Sequence, residues 1–92
     1  MAKLSRDEIH RSMLRLPGWT LDGDKIRKQY TFAGFPEAVQ FVGRLVPDAE
    51  RVDHHPDILI TYTRVTLTFS THSEGGLTEK DFVGAAMADQ VA

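Results

Sequence analysis

The chain reads as an α+β protein: a four-stranded antiparallel sheet with three helices on one face, in the order α-β-β-α-β-β-α. Three observations carry that reading. Helix-start signals and apolar residues at helical spacing mark separate stretches of the sequence, and runs of period two lie between them. The runs come in pairs joined by short connections, as hairpins do.

The first helix is expected over about 5–16. Ser5 is followed by Glu8 in capping-box spacing, Leu4 and Ile9 can staple its start, and Ile9, Met13 and Leu16 repeat on one face before Pro17-Gly18 stops it. "WTLDGDKIRKQYTF" then reads as a hairpin. Asp22-Gly23-Asp24 supplies the turn, and Ile26, Tyr30 and Phe32 share one strand face. Next, Phe35, Ala38, Val39, Val42, Leu45, Val46, Ala49 and Val52 form an apolar stripe of helical period. Pro47 interrupts it at a cost of roughly 3 kcal/mol. The stripe stays in phase on both sides, so one kinked helix over 36–52 is expected.

After Pro56 the period becomes two. Ile58, Ile60 and Tyr62 alternate with Leu59 and Thr61, then Val65, Leu67 and Phe69 alternate with Thr66, Thr68 and Ser70. The second of these strands has a hydroxyl-rich face that should point away from the helices. "SEGG" reads as a loop. Thr78 caps the last helix, with Asp81 in the box position and Leu77 and Phe82 as staple.

Size and composition narrow the function. Ninety-two residues suit one domain, 1–92. Such a chain buries only about 60–65% of its unfolded surface, so pairing with a second copy would help it. The absence of cysteine removes disulfides and thiolate metal sites. A net charge of −2, from 11 basic and 13 acidic residues, gives no reason to expect nucleic acid. No apolar run approaches the ~20 residues that span a bilayer, and the N-terminus turns acidic too early for a signal peptide. A soluble cytoplasmic domain is expected.

The chemistry-bearing residues gather around "DHHPDILITY". His54 and His55 fall at a helix end, where Pro56 holds the residue before it extended, so the two rings should diverge. His72 closes the hydroxyl-faced strand, and Glu50, Asp53 and Asp81 are nearby carboxylates. Imidazoles with carboxylates suit proton transfer at neutral pH. Each also has a plainer reading: Asp81 as a cap, Glu50 as a solvated helix charge, Trp19 as a core plug and His72 as a surface residue. His10 lies off the first helix's apolar stripe and reads as surface. A metal site is disfavoured, because adjacent histidines do not aim two nitrogens at one ion and no i,i+4 pair is present.

"ERVDHHPDILITY" followed by "LTFSTHSEGGLTEKD" resembles the pterin-4a-carbinolamine dehydratases. The slots filled are Glu50, His54, His55, Pro56, Tyr62, His72 and Asp81, with Gly18-Trp19 and Phe35 to Ala38 also similar. Lys80 stands where arginine is frequent, Thr63 where a turn asparagine is frequent, and Pro47 where a plain helix former is usual. The resemblance implies the same α-β-β-α-β-β-α fold and dimers or tetramers joined at sheet edges. It implies dehydration of 4a-hydroxytetrahydrobiopterin to quinonoid dihydropterin, after an aromatic amino acid hydroxylase has used that pterin, with no metal or other cofactor. On that basis His54 and His72 form the acid/base pair and His55 mainly binds and orients the pterin. Glu50, Asp53 and Asp81 fix tautomers or hold substrate atoms. Pro56, the Ser70-Thr71 strand end and an apolar wall from Trp19 complete the expected substrate-binding set. Two other readings stand beside it: a non-catalytic dimerisation or binding partner on the same fold, and a dehydratase for a molybdopterin-type pterin.

Overall fold

A computed structural model of the protein describes residues 2–92. Helix α1 (Arg6–Met13) starts at Ser5, whose side chain accepts the Glu8 N–H while the Glu8 carboxylate accepts the Ser5 N–H. This is the reciprocal box expected from the sequence. The helix stops at Met13, short of the expected Leu16. Arg15 and Leu16 bond back to Ser12 and Met13 instead, a tightening toward Pro17 that still buries Leu16.

Strands β1 (Thr20–Asp22) and β2 (Lys25–Thr31) form the first hairpin, and β3 (Asp57–Thr61) and β4 (Arg64–Phe69) the second. The sheet order is β1-β2-β4-β3 with every pair antiparallel. Ile26 and Tyr30 stand opposite Phe69 and Val65, and with Leu67 they form the buried face. Thr66, Thr68 and Ser70 face away, as expected. Tyr62 does not extend β3. It sits in the turn with φ 55° and is exposed. In this turn the left-handed conformation thus falls on Tyr62.

Helix α2 (Phe35–Val52) runs unbroken through Pro47. Proline leaves the Gly43 carbonyl without its intrahelical donor, and Gly43 is exposed, so solvent can take that role. The expected stripe is wider than the core face. Ala38, Phe41 and Leu45 are buried, whereas Phe35, Val39 and Val46 are exposed. Phe41 lay outside the stripe and is fully buried, worth roughly 1.5–3 kcal/mol. Its ring packs at a tilt against those of Tyr30 and Phe32, 4.8 and 5.0 Å away between centroids.

Helix α3 (Glu79–Val91) packs against α2 and β4, closing the helical layer with Phe82, Ala85 and Ala88 buried. No helix among the described residues is long and apolar enough to cross a membrane.

Candidate active site

The two histidines owe their positions to how α2 ends. Asp53 takes a left-handed conformation (φ 52°, ψ 47°). Its N–H bonds the Glu50 carbonyl at 3.3 Å, and the His54 N–H reaches back to the Ala49 carbonyl at 3.1 Å. This pair of bonds is a Schellman motif, which satisfies the last helix carbonyls and fixes the His54 backbone to the helix. Pro56 then prevents the helix from resuming and keeps His55 extended. The rings diverge, each toward its own carboxylate.

His54 turns inward. Its ring lies over Phe69 at 6.1 Å between centroids and 24° between planes. Its Nε2 is 2.6 Å from Oδ1 of Asp81, with the two side chains 11% and 0% exposed. Burying a carboxylate is costly unless its oxygens are satisfied. Here Oδ2 accepts the Thr78 backbone N–H at 2.9 Å and the Thr71 hydroxyl at 2.8 Å. The Thr71 and Thr78 hydroxyl oxygens are 2.9 Å apart. Asp81 therefore caps helix α3 and partners His54 at once.

His55 turns outward. Its Nε2 is 2.5 Å from Oε2 of Glu50, and both groups are well exposed. They rim a cleft with Val46, Pro56 and Ile58, while His54, Phe69 and Met87 line a smaller one that shares Leu45, Ala49 and Pro56 with it. His72 is exposed at the first position of a short 3-10 turn (His72–Glu74). Just before it, Thr71 is pinned to Gly76 by two backbone bonds.

The remaining expected residues lie elsewhere. The Ser70 hydroxyl donates to the Asp24 carbonyl at 2.9 Å, on the β1–β2 turn. Trp19 is buried, and its indole N–H donates to Oδ2 of Asp89 at 3.1 Å. One ring separates it from His54, because Trp19 and His54 both pack on Phe69. Among the described residues, no three His, Asp or Glu side chains gather as metal ligands.

Sequence reasoning missed three contributors. Phe69 was read only as core, and it is also the platform under His54. The Thr78 hydroxyl was read only as part of a cap. Asp89 accepts hydrogen bonds from Trp19, Lys28 and Tyr30. Burial works to raise the Asp89 pKa, but bonds from Tyr30, Lys28 and Trp19 outweigh it and hold the carboxyl below its usual range. Burial, then the bond to Asp89 and its charge, pushes the Tyr30 hydroxyl upward. A signal existed for Asp89, since a carboxylate in the last turn of a helix opposes the helix dipole and asks for donors.

Comparison with known proteins places the chain in a family. The family model described as pterin 4 alpha carbinolamine dehydratase matches residues 2–91. A relative from Nostoc is 48% identical over 92 residues, 99% of each chain, and one from Mycobacteroides abscessus is 47% identical over 89, covering 97% of this chain and 95% of its own. Both bear the name pterin-4-alpha-carbinolamine dehydratase provisionally. A crystal structure of a transcriptional coactivator/pterin dehydratase from Brucella melitensis superposes with a TM-score of 0.92 at 35% identity over 98% of both chains. A pterin dehydratase-like protein identified as a RuBisCO assembly factor shares the fold, at a TM-score of 0.66 and 23% identity over 80% of this chain and 86% of its own. With the model matched along nearly its whole length, the chain belongs to the pterin 4 alpha carbinolamine dehydratase family.

Proposed function

We propose that the chain is a dehydratase that removes water from 4a-hydroxytetrahydrobiopterin and so recycles the pterin of aromatic amino acid hydroxylases. The reaction is collapse of a carbinolamine. The N5 lone pair forms the new C=N bond as the C4a–O bond breaks, and N5 gives up its proton. The oxygen must leave as water and not as hydroxide, so it needs a proton from an acid, while a base takes the proton from N5. Such general acid–base help contributes ~10²–10⁴-fold.

The observation that carries this reading is His54 held 2.6 Å from a fully buried carboxylate, Asp81. A histidine so fixed can give or take a proton repeatedly without losing its orientation. In this scheme His72 supplies the second acid/base group from the end of the Thr71 strand. His55, tied to Glu50 at the rim of the adjoining cleft, grips and orients the pterin.

The working form in this proposal is a cytoplasmic homodimer or homotetramer. Its support is the exposed apolar set of Phe35, Val39 and Val46 on α2 with Ile58 and Leu59 on the edge strand β3. The same surface supports a second reading, a binding partner that needs no catalysis, in keeping with the double description of the Brucella protein.

Adding the purified protein to enzymatically generated 4a-hydroxytetrahydropterin decides between them. Dehydration well above the spontaneous rate is expected. A folded protein that leaves the spontaneous rate unchanged would overturn the enzyme reading.

A further inference from the structure

We infer that the Thr78 and Thr71 hydroxyls form a one-way hydrogen-bond chain into Asp81, which holds the His54 proton on Nε2 and leaves Nδ1 as the nitrogen that exchanges a proton with substrate. The catalytic half of this inference rests on the proposed acid/base role of His54. The hydroxyl chain itself rests on geometry alone.

The direction of the chain follows from counting hydrogens. An ionised carboxylate accepts and does not donate. Thr71 has one hydroxyl hydrogen, and its oxygen is 2.8 Å from Oδ2 of Asp81, so that hydrogen is committed there. The contact of 2.9 Å between the Thr71 and Thr78 oxygens must then be donated by Thr78. Burial leaves little room for water to offer an alternative, since Thr71 is 8% exposed and Thr78 and Asp81 are 0% exposed.

The anchors of the chain are rigid. Thr71 is held by its paired bonds to Gly76, and the Thr78 N–H donates to the same Oδ2 at 2.9 Å. Two donors from fixed backbone positions stop the carboxylate from rotating, which aims Oδ1 at Nε2 of His54. An acceptor there calls for a hydrogen on Nε2 in both the neutral and the charged ring. The lone pair of the neutral ring is then on Nδ1. Thr71, Thr78 and Asp81 act through His54, as positioning residues.

The test uses the full chain with ¹⁵N-labelled histidine. At a pH where the ring is neutral, the ¹⁵N shifts of wild-type His54 should report the proton on Nε2. A proton found on Nδ1 would overturn the inference without any variant. Thr71→Val removes the inner donor and keeps the shape. It should mix the two tautomers and lower kcat about tenfold with KM little changed, the rate effect of losing about one net hydrogen bond from the transition state. Thr71→Ser should restore both readouts. Thr78→Val should move the shifts the same way by less. If His54→Ala is impaired while folded Thr71→Val matches wild type in turnover and ring shifts, the hydroxyl chain is wrong and the acid/base reading survives. If His54→Ala keeps full turnover, the acid/base reading falls and takes the role given to Nδ1 with it.

Discussion

A Cβ on Gly84 would stand 2.5 Å from Cε1 of Phe69 and 2.9 Å from Cζ. The bare glycine is what lets helix α3 lie against the ring that carries His54. Phe69 cannot simply move aside, because Trp19 packs on it at 5.9 Å and His54 at 6.1 Å. A backbone choice on one helix thus sets the height at which the His54 ring sits on another element.

Gly84→Ala weighs two effects against each other. Alanine gains about 1 kcal/mol of helix propensity. Overpacking a core this tight costs about 1–3 kcal/mol. With the ring only 2% exposed and flanked on both sides, the clash should win. Thermal unfolding should show a lower Tm, and turnover should fall with it because the His54 platform is displaced. A Tm equal to or above wild type would mean that Phe69 has room to yield.

Asp53 concerns the backbone beneath the histidines. Its left-handed conformation strains a residue that carries a Cβ, by roughly 1–2 kcal/mol in general and less for aspartate. Asp53→Gly should therefore match wild-type stability or slightly exceed it, the gain trimmed by added freedom in the unfolded chain. Asp53→Val should lose about 1–2 kcal/mol, since a β-branched residue tolerates that conformation poorly. Urea midpoints of the three proteins test the order, and a valine variant as stable as the glycine variant would contradict it.

Asp89 links stability to pH. Its folded-state pKa is lowered, so its stabilisation is present above the unfolded value near 3.9 and is lost as pH falls through the folded value. Wild type should lose stability as pH drops below about 4, and Asp89→Asn should lose less over the same window. Near pH 7 the variant should be weaker by about 1–2 kcal/mol, at the low end for charged hydrogen bonds because the carboxylate is partly exposed. Emission from the single tryptophan, itself bonded to Asp89, follows the unfolding. Parallel pH profiles for the two proteins would rule out the linkage.

The limits of sequence reading have physical causes. Both capping boxes, the register of β4 and the divergence of His54 and His55 were legible, because each depends on residues close in sequence. Phe41 lies three residues after Ala38 and four before Leu45, so its spacing was legible. The expected stripe on α2 ran through Val39 and Val46, and helical spacing by itself does not tell a core face from an exposed apolar face. The roles of Phe69 and Gly84 were not legible either. They come from a close approach between strand β4 and helix α3, which no local pattern encodes. The pairing of Asp81 with His54 joins residues 27 apart in sequence. The cap motif anticipated the position of that carboxylate but not its inward partner.

The exposed apolar face of α2 should be covered by a second copy. Val39 and Val46 lie on one side of that helix, and Ile58 shares a cleft with Val46. The edge strand β3 also carries unpaired backbone groups that invite another strand. Light scattering at micromolar concentration should give a dimer or tetramer of the 10.3 kDa chain. Val46→Glu should shift it toward monomer. A wild-type monomer would contradict the proposed assembly.

The division of labour between the histidines gives the last expectation. His54 is mostly buried and paired with a fully buried carboxylate, whereas His55 and Glu50 are more than half exposed. An orientation that survives proton transfer belongs to the first pair. His54→Ala and His72→Ala should each lower kcat by about 10²-fold or somewhat less, because this leaving step is easy and solvent can partly substitute. Both changes together should cost far more than either alone if each histidine can cover for the other. His55→Ala should act mainly through KM, since a group that binds substrate and transition state alike changes affinity and not turnover. His54→Ala also leaves Oδ1 of Asp81 buried without its partner, which costs about 1–3 kcal/mol of stability. Circular dichroism must therefore accompany the kinetics. Folded His54→Ala and His72→Ala proteins with wild-type kcat would remove the acid/base assignment. A His55→Ala protein that loses kcat at constant KM would reverse the roles of the two neighbours.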